Sequence, residues 1–304
     1  MKILYASDTH VHPSHLDKLL KAAEKQSPEA VIIGGDLIPS WRQSIAASIE
    51  PHRAWVRDRL IPKVREFRDR SPEIDVLLDL GNDDIMAARA LMEERDGLDF
   101  HLLHQRIVKL SGNLAVAGYM KVNPTPFLIK DGEKPDCRDM DGLSEPGVLR
   151  EGLATISGAE MRVCLDPATG TIEDDLKDLS NALESDAWRK YSFLFISHAP
   201  PKNSALDVTE TGLHVGSLAV RLFIERWSST GRLIATFHGH IHESPWQSGR
   251  AWQLIGSVPC FNVGQRRNPF RALTVNTQDP AQSARLVTVD QSGEIRVWEK
   301  DEWT

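Results

Sequence analysis

The chain alternates short apolar runs with longer amphipathic stretches, and this alternation restricts its fold more than any other feature. The first pair is typical, since residues 2–6 form an apolar run and Leu16, Leu19, Leu20 and Ala23 follow at helical spacing. Short apolar runs indicate buried strands, whereas apolar residues three and four apart indicate one face of a helix. Strands that alternate with helices predict a layered α/β architecture.

The predicted strands and helices cover most of the chain. Strands are expected at residues 2–6, 30–33, 75–80, 105–110, 114–119, 191–196, 233–237, 252–256, 285–289 and 294–298. Helices are expected at residues 16–25, 85–94, 174–183 and 216–227, and over most of 44–70 with an interruption near Pro62. The segment at about 122–186 is rich in Pro, Gly, Asp and Glu, which predicts an elaborated insertion.

Composition and charge restrict the class of protein. With 304 residues, of which 41% are apolar and 26% charged, the chain has the composition of an ordinary globular protein. Its formal net charge of −7, without a block of Lys and Arg, argues against nucleic acid as a partner. No stretch approaches the roughly 20 apolar residues of a membrane span, so we expect no membrane partner.

The beginning of the chain and its cysteines bear on location. The first apolar run is short and is followed by Asp8 and His10, which is atypical of a signal peptide. Cys137, Cys164 and Cys260 lie far apart, and unpaired thiols are typical of a reducing compartment. We therefore expect a cytoplasmic location.

Five of the apolar runs are followed at once by residue types that bind divalent metals. The five segments are Ser7-Asp8-Thr9-His10, Gly34-Gly35-Asp36, Gly81-Asn82-Asp83-Asp84, Ser197-His198 and His238-Gly239-His240-Ile241-His242. Ligands of open α/β sheets bind beyond the carboxyl ends of the strands. Asp8 and His10 lie two residues apart, as do His240 and His242, so that in extended chain each pair would project to one side and bind one ion.

The chemistry of these side chains indicates which metals to expect. Carboxylate, imidazole and amide oxygen together suit Mn, Fe, Zn, Co or Ni better than an all-oxygen Mg or Ca site. Gly35, Gly81 and Gly239 allow tight turns and leave room beside an ion.

The five segments, in this order, resemble the calcineurin-like metallophosphoesterase family, whose pattern is D-x-H, G-D, G-N-H-[DE], H and G-H-x-H. The resemblance extends from Asp8 to His242, and S-H-A-P-P and H-V-G-S also resemble a prokaryotic subgroup. It implies a four-layer α/β/β/α sandwich, in which two mixed sheets are flanked by helices. It further implies a single domain over 1–304, with the insertion at about 122–186.

The resemblance also implies an activity and its cofactors. The activity is hydrolysis of a small phosphorylated substrate, either a phosphodiester or a phosphomonoester, by a hydroxide that bridges two divalent ions about 3.5–4 Å apart. The ligands would divide into two sets that share one residue: Asp8, His10, Asp36 and His242 for one ion, and Asp36, Asn82, His198 and His240 for the other.

One segment departs from the family pattern, because Asp83 follows Asn82 where the family has a histidine. The family histidine is credited with steadying the phosphoryl group and protonating the leaving oxygen. An aspartate has an ordinary pKa of about 4 and would repel phosphate unless it is protonated or turned away. Burial beside Asp84 would raise one of the two pKa values. The leaving group then departs with help from the metals, from water or from a protonated Asp83.

Two residues outside the five segments are candidate substrate contacts. His214 precedes the helix predicted at 216–227, and a helix N-terminus can bind an anion. An ordinary N-cap at Thr211 or Ser217 explains the same residues. Arg266 could reach a phosphate, although a solvated arginine is the simpler interpretation.

The sequence leaves three functions open. The first is a metal-dependent phosphoesterase with Asn82 and Asp83 as catalytic residues. The second is a catalytically weak or inactive binding module, which Asp83 favours and the complete ligand set opposes. The third, a nuclease, is the least favoured because the chain is acidic and shows no basic stripe.

Overall fold

The structure, a computed structural model, describes residues 1–39, 44–138 and 147–303. In chain order the strands are β1 Lys2–Ala6, β2 Ala30–Gly34, β3 Asp75–Asp79, β4 His101–Leu102, β5 Arg106–Lys109, β6 Leu114–Tyr119, β7 Glu151–Ile156, β8 Ala159–Cys164, β9 Ser192–Ser197, β10 Leu233–Phe237, β11 Trp252–Ile255, β12 Val258–Phe261, β13 Phe270–Asn276, β14 Arg285–Val289 and β15 Ile295–Trp298. The helices are α1 His15–Gln26, α2 Ile45–Trp55, α3 Ile61–Arg70, α4 Arg89–Glu93, α5 Ile172–Glu184, α6 Leu218–Ser228, α7 Ser244–Ser248 and α8 Pro280–Ser283.

Two large mixed sheets organise the chain. The first has the strand order β15-β14-β13-β1-β2-β3-β4, with β1 to β4 parallel and β13, β14 and β15 antiparallel to their neighbours. The second has the order β11-β12-β10-β9-β6-β5, with a parallel centre and an antiparallel strand at each edge. Strands β7 and β8 form a separate antiparallel hairpin.

The alternation of side chains along β1 shows how these sheets are layered. Ile3 and Tyr5 pack in one apolar cluster with residues of the second sheet. Leu4 and Ala6 point the other way and pack with residues of α1 and α3. The outer face of the second sheet packs against α5 and α6, as Phe195 illustrates. Helices therefore cover two stacked sheets on both sides, which confirms the predicted four-layer sandwich.

The sequence pattern does not predict β12 and β13, although both are buried. Strand β12 contains Pro259, which lowers the expectation of a strand because proline donates no hydrogen bond. Strand β13 contains Arg271, which interrupts the apolar run although its side chain is buried and donates to Trp303 O. Strand β13 pairs with β1 at the centre of the first sheet. A central strand is therefore missed by the apolar pattern, because it contains a buried charged residue.

The helices differ from the prediction in detail. The helical region 44–70 is interrupted near Pro62, as the sequence predicts, by a π-helical turn at Val56–Leu60. Pro62 lies in the first turn of α3, just after this π-helical turn. Between 122 and 186 the predicted helix is present as α5, whereas the pattern does not predict the β7–β8 hairpin. None of the helices in the described ranges combines the length and apolar character that a membrane crossing requires.

Candidate metal centre

The five metal-type segments meet at one edge of the sandwich. Strands β1, β2 and β3 of the first sheet end there, as do β9 and β10 of the second. Asp8 N donates to Gly35 O at 3.1 Å, and Gly239 N donates to His198 O at 3.1 Å. The two sheets are joined directly, because His240 N donates to Asp8 Oδ1 at 3.0 Å. Residues far apart in the sequence thus form one buried polar group.

Two clusters of ligand atoms stand out in this group, and they share Asp36. In each cluster the atoms lie within 4.8 Å of one another: His10, Asp36 and His242 in the first, and Asp8, Asp36 and His198 in the second. Asp8 also approaches the first cluster, since its Oδ1 lies 3.2 Å from His242 Nε2. Asp36 belongs to both clusters, and its role as a bridging carboxylate stays a prediction, as does the division of the other ligands.

The contacts of Asp36 Oδ2 define the centre of the site. It lies 3.3 Å from His10 Nδ1 and 3.2 Å from His198 Nε2. His198 Nδ1 donates to Gly34 O at 2.7 Å, which fixes the ring so that Nε2 faces the site. That nitrogen also lies 3.1 Å from Asn82 Oδ1. His240 lies outside both clusters, with its ring centroid 5.5 Å from that of His198.

The backbone at three of these residues is left-handed, which corrects the extended geometry expected from the sequence. The φ angles are +59° at Asp8, +53° at Asp36 and +66° at His240. His10 lies in a 3₁₀ turn, Thr9–Val11, and not in a strand. Such conformations are uncommon outside glycine and cluster at functional sites, where they aim side chains that a regular strand would not.

Comparison with known proteins gives the site its family. The calcineurin-like phosphoesterase model matches residues 1–244. The chain belongs to this family. Membership indicates metal-dependent hydrolysis of a phosphoester, and the Asp and His clusters supply candidate ligands for divalent metals. The sequence matches no curated protein.

Solved structures agree with the fold. A dimetal phosphatase from Danio rerio aligns over 99% of both chains, with a TM-score of 0.52 and 13% identity. TT1561 of Thermus thermophilus aligns over 97% of both chains, with a TM-score of 0.50 and 15% identity. GAP50, described as the anchor in the inner membrane complex of Plasmodium, aligns over 99% of this chain and 89% of its own, with a TM-score of 0.50 and 9% identity. At such low identity the likeness establishes the fold alone.

The electrostatics of the group fit the cations that the family uses. Burial opposes ionisation of Asp36, yet His198 and His10 hold the pKa of its carboxyl well below the usual range. Burial likewise opposes charge on the two histidines, yet Asp36 raises the pKa of His10 to about 10 and of His198 to about 9. His10 Nδ1 is buried without a hydrogen bond. The buried carboxylates therefore require nearby positive charge, which a divalent ion would supply.

Asp83 lies at the open side of this centre. Burial, which the sequence predicts as the cause, and the charge of Asp36 raise the pKa of its carboxyl. Its Oδ1 accepts from Asn82 Nδ2 at 3.0 Å, and its Oδ2 lies 3.9 Å from His10 Nε2. Its side chain is 40% exposed, so it can meet a substrate.

Asp84 has a positioning role that the sequence does not reveal. Its buried carboxylate accepts from Leu37 N at 2.9 Å, from Ile38 N at 2.8 Å and from Gly81 N at 2.8 Å. The loops after β2 and β3, which carry Asp36 and Asn82, are thereby held together. Burial, reinforced by Asp36, raises the pKa of Asp84 to about 7. The only sequence signal is the family's preference for an acidic residue at this place.

Gly239 leaves room for the ligand residues beside it. A Cβ at this position would lie 2.0 Å from Ser7 Oγ and 2.6 Å from Asp8 Oδ2. We expect Gly239→Ala to displace Asp8 and to weaken metal affinity by about 10–100-fold, as does the loss of residues that orient a ligand. Competition with a fluorescent chelator would measure this affinity.

Gly256→Ala provides a matched control for crowding in general. Gly256 lies in the turn between β11 and β12 and has a φ of +58°. A Cβ on this residue would lie 2.6 Å from Ser228 Oγ. This variant should lower thermal stability and keep the metal affinity. Equal metal affinities in wild type and Gly239→Ala would contradict the prediction.

The two candidate substrate contacts each have a partner outside the two ligand clusters. His214 Nδ1 lies 2.7 Å from Asp207 Oδ1, whose carboxylate is buried. The N-terminus of α6 has Ser217 as its N-cap, and Asp136 already accepts from Leu218 N there. A carboxylate therefore occupies the place at which the sequence suggested an anion.

Arg266 is also engaged elsewhere. Its guanidinium carbon lies 3.5 Å from the centroid of the Trp246 ring, and Arg271 lies 4.8 Å from the same ring. Substrate contact by His214 or Arg266 stays a prediction that these arrangements do not favour.

Proposed function

We propose that this chain is a dinuclear metal phosphoesterase that hydrolyses a phosphodiester or phosphomonoester. Its cofactors would be two divalent ions drawn from Mn, Fe, Zn, Co and Ni, held by Asp8, His10, Asp36, Asn82, His198, His240 and His242. The observation that carries the proposal is the position of Asp36, whose Oδ2 lies 3.2–3.3 Å from ring nitrogens on both sides. A carboxylate shared by two clusters is the arrangement that a pair of ions requires.

The side chains have distinct tasks in this proposal. When bound, the two ions supply an activated water and positive charge for the phosphoryl oxygens. Asn82 helps to orient its neighbours, since its amide contacts both His198 and Asp83. Asp83 lies at the open side with a raised pKa, so its carboxyl can hold a proton for the departing oxygen. Asp84 keeps the two ligand-bearing loops in register.

The direct test is metal removal and restoration. We expect chelation to abolish turnover of bis-p-nitrophenyl phosphate, and one of the five metals to restore it. Anomalous scattering from crystals soaked with that metal should show two ions beside Asp36. Protein that binds none of these metals, or that binds them and turns over neither mono- nor diesters, would contradict the proposal.

Asp83 also predicts a restricted range of leaving groups. A carboxyl has a lower ordinary pKa than a histidinium, so it holds a proton for the alkoxide less often at neutral pH, and general acid catalysis contributes about 10²–10⁴-fold. We expect kcat/KM for p-nitrophenyl phosphate to exceed that for n-propyl phosphate by at least about 100-fold. The rate of phosphate release gives kcat/KM for both esters.

Asp83→His should narrow this ratio by at least about tenfold, because an imidazole holds a proton at higher pH than a carboxyl and can donate it to the alkyl leaving group. Asp83→Asn, which holds no transferable proton, should widen it. Comparable rates of the wild type on the two esters would show that Asp83 does not limit the leaving group.

A binding module is the second candidate. Asp83 favours it, and so does the fold of GAP50, which serves as an anchor in its own organism. The test above separates the two, since a module would bind metals without turnover.

We further propose that residues 1–304 form one domain with 122–186 as an insertion. The free cysteines favour a cytoplasmic location, and acidic charge argues against nucleic acid as a partner.

A further inference from the structure

A cavity of about 370 Å³ adjoins the metal centre. One side is formed by Asp36, Asn82, Asp83 and His240. Much of the remaining lining comes from two loops, residues 123–127 and residues 209–215, which we call the first wall and the second wall. Any group attached to a phosphorus at the metal centre would therefore extend between these walls.

The walls are mainly apolar. Pro124, Phe127, Leu213 and Val215 belong to them, and Val148 and Ile241 add further apolar lining to the cavity. Phe127 is 60% exposed and Leu213 is 41% exposed, so two large apolar side chains face solvent at the mouth. A concave apolar surface of this kind binds an apolar group, which displaces water from it.

The charges around the cavity also favour an uncharged group. Apart from the candidate metal ligands, the ionisable side chains that line it in the described part of the chain are Asp83 and Glu243, both acidic. In the same residues no lysine or arginine lines it. A substrate with further phosphates or carboxylates would need cationic partners, and here it would meet like charge. Only the phosphoryl group itself would find positive charge, at the metals.

The first wall is built in advance of substrate binding. Lys130 Nζ donates to Thr125 O at 2.9 Å and to Glu133 Oε2 at 2.7 Å, and Thr125 N donates to Glu133 Oε2 at 2.9 Å. The side chains of Lys130 and Glu133 are 0% and 1% exposed. At the base of this wall, a Cβ on Gly132 would lie 2.5 Å from Asn82 Cα, so the wall rests directly on the metal centre.

The second wall is fixed by a buried carboxylate. Asp207 accepts from Ser204 N at 2.9 Å and from Gly216 N at 3.0 Å, and it pairs with His214. Asn123 joins the walls, because its Nδ2 donates to Val215 O at 3.0 Å. A cavity held by buried polar contacts stays open without a ligand, which limits the ordering that binding requires.

We propose that this cavity selects phosphoesters whose organic group is apolar and uncharged, such as an aryl or branched alkyl group, over polyanionic substrates. The inference rests on the proposed phosphoesterase function and adds the substrate class to it. Phe127 and Leu213 are the specificity-determining residues, and the metal-holding residues make no distinction between the substituents.

Three esters with one leaving group test this proposal on the metal-loaded protein. They are p-nitrophenyl phenylphosphonate, p-nitrophenyl methylphosphonate and p-nitrophenyl 4-carboxyphenylphosphonate, which differ only in the group that would lie between the walls. We expect kcat/KM for the phenyl compound to exceed that for the methyl compound by at least about tenfold, since each methylene in an apolar pocket discriminates about tenfold or more. The carboxyphenyl compound should fall at least about tenfold below the phenyl compound.

Variants assign the preference to the cavity. Phe127→Ala and Leu213→Ala should each lower the phenyl-to-methyl ratio by at least about fivefold. Both residues are largely exposed, so the fold should tolerate the change. Leu222→Ala is the matched control, because Leu222 is 45% exposed on α6 and does not line the cavity. This control should keep the ratio of the wild type.

The outcomes separate this inference from the proposed function. Turnover of all three esters without a phenyl preference would overturn the inference and leave the function standing. If none of the three esters is turned over, titration calorimetry can still test the inference by comparing the affinities for phenylphosphonate and methylphosphonate. Tighter binding of phenylphosphonate, lost in Phe127→Ala, supports the inference, and equal binding overturns it.

Discussion

Asp36→Asn is expected to lower kcat/KM for bis-p-nitrophenyl phosphate by about 10³-fold or more, equivalent to about 4 kcal/mol of transition-state stabilisation. The residue contacts histidines of both ligand clusters, so its loss of charge weakens both metal positions at once. The amide keeps the shape of the carboxyl and one oxygen, which can still accept from Asp83 N as Asp36 Oδ1 does at 2.9 Å. The fold should therefore survive while metal content falls.

Metal analysis, steady-state kinetics and circular dichroism together check this expectation. Asp17→Asn is a suitable control, because Asp17 pairs with Arg59 and Lys63 on the surface and has no contact with the site. It should match the wild type in metal content and rate. If Asp36→Asn retains both ions and full turnover, Asp36 is not the bridge and the proposed centre is wrong.

Lys130→Met is expected to reduce the free energy of unfolding by about 3–5 kcal/mol, because it leaves the buried charge of Glu133 without its partner. The side chains of Lys130 and Glu133 are almost fully buried, and their contacts organise the first wall around Thr125. Burial already raises the pKa of Glu133, although Lys130 and Thr125 oppose this effect. The lone carboxyl would have to take up a proton or open the wall to water.

Urea unfolding of three variants tests the prediction. The double variant Lys130→Met with Glu133→Gln removes both charges and should recover much of the loss, since an uncharged pair of similar volume is often tolerated. Arg296→Met is the control, because Arg296 and Glu294 form an exposed pair whose loss should leave the unfolding midpoint unchanged. Equal midpoints for Lys130→Met and the wild type would show that the pair contributes nothing.

The sequence predicts the fold and the candidate ligands because both depend on local patterns. An apolar run followed by Asp8 or by His198 can be recognised from neighbouring residues alone. Parallel strands then bring their carboxyl ends to one edge of the sheet. The path of the backbone at Asp8 and His240 could not be read in this way. Their left-handed conformations are imposed by contacts between loops, such as the bond from His240 N to Asp8 Oδ1.

Other features depend on contacts between distant residues without any periodic signal. The cavity walls at 123–127 and 209–215 lie more than 80 residues apart in the sequence and meet through Asn123 and Val215. Asp84 looks like a second acidic residue beside Asp83, and only the structure shows that three backbone N–H groups occupy its carboxylate. In the sequence, segments with buried polar residues of this kind cannot be distinguished from surface loops, because the two have similar compositions.

The close approach of Gly132 to Asn82 has a consequence for engineering. Because the wall and the loop that carries Asn82 touch backbone to backbone, a foreign loop cannot be transplanted in place of residues 123–133 without regard to the metals. A donor segment that lacks glycine at the position of 132 would push on Asn82 and disturb catalysis together with selectivity. A library that keeps this glycine and randomises the exposed residues 126–128 should alter substrate choice while turnover is preserved.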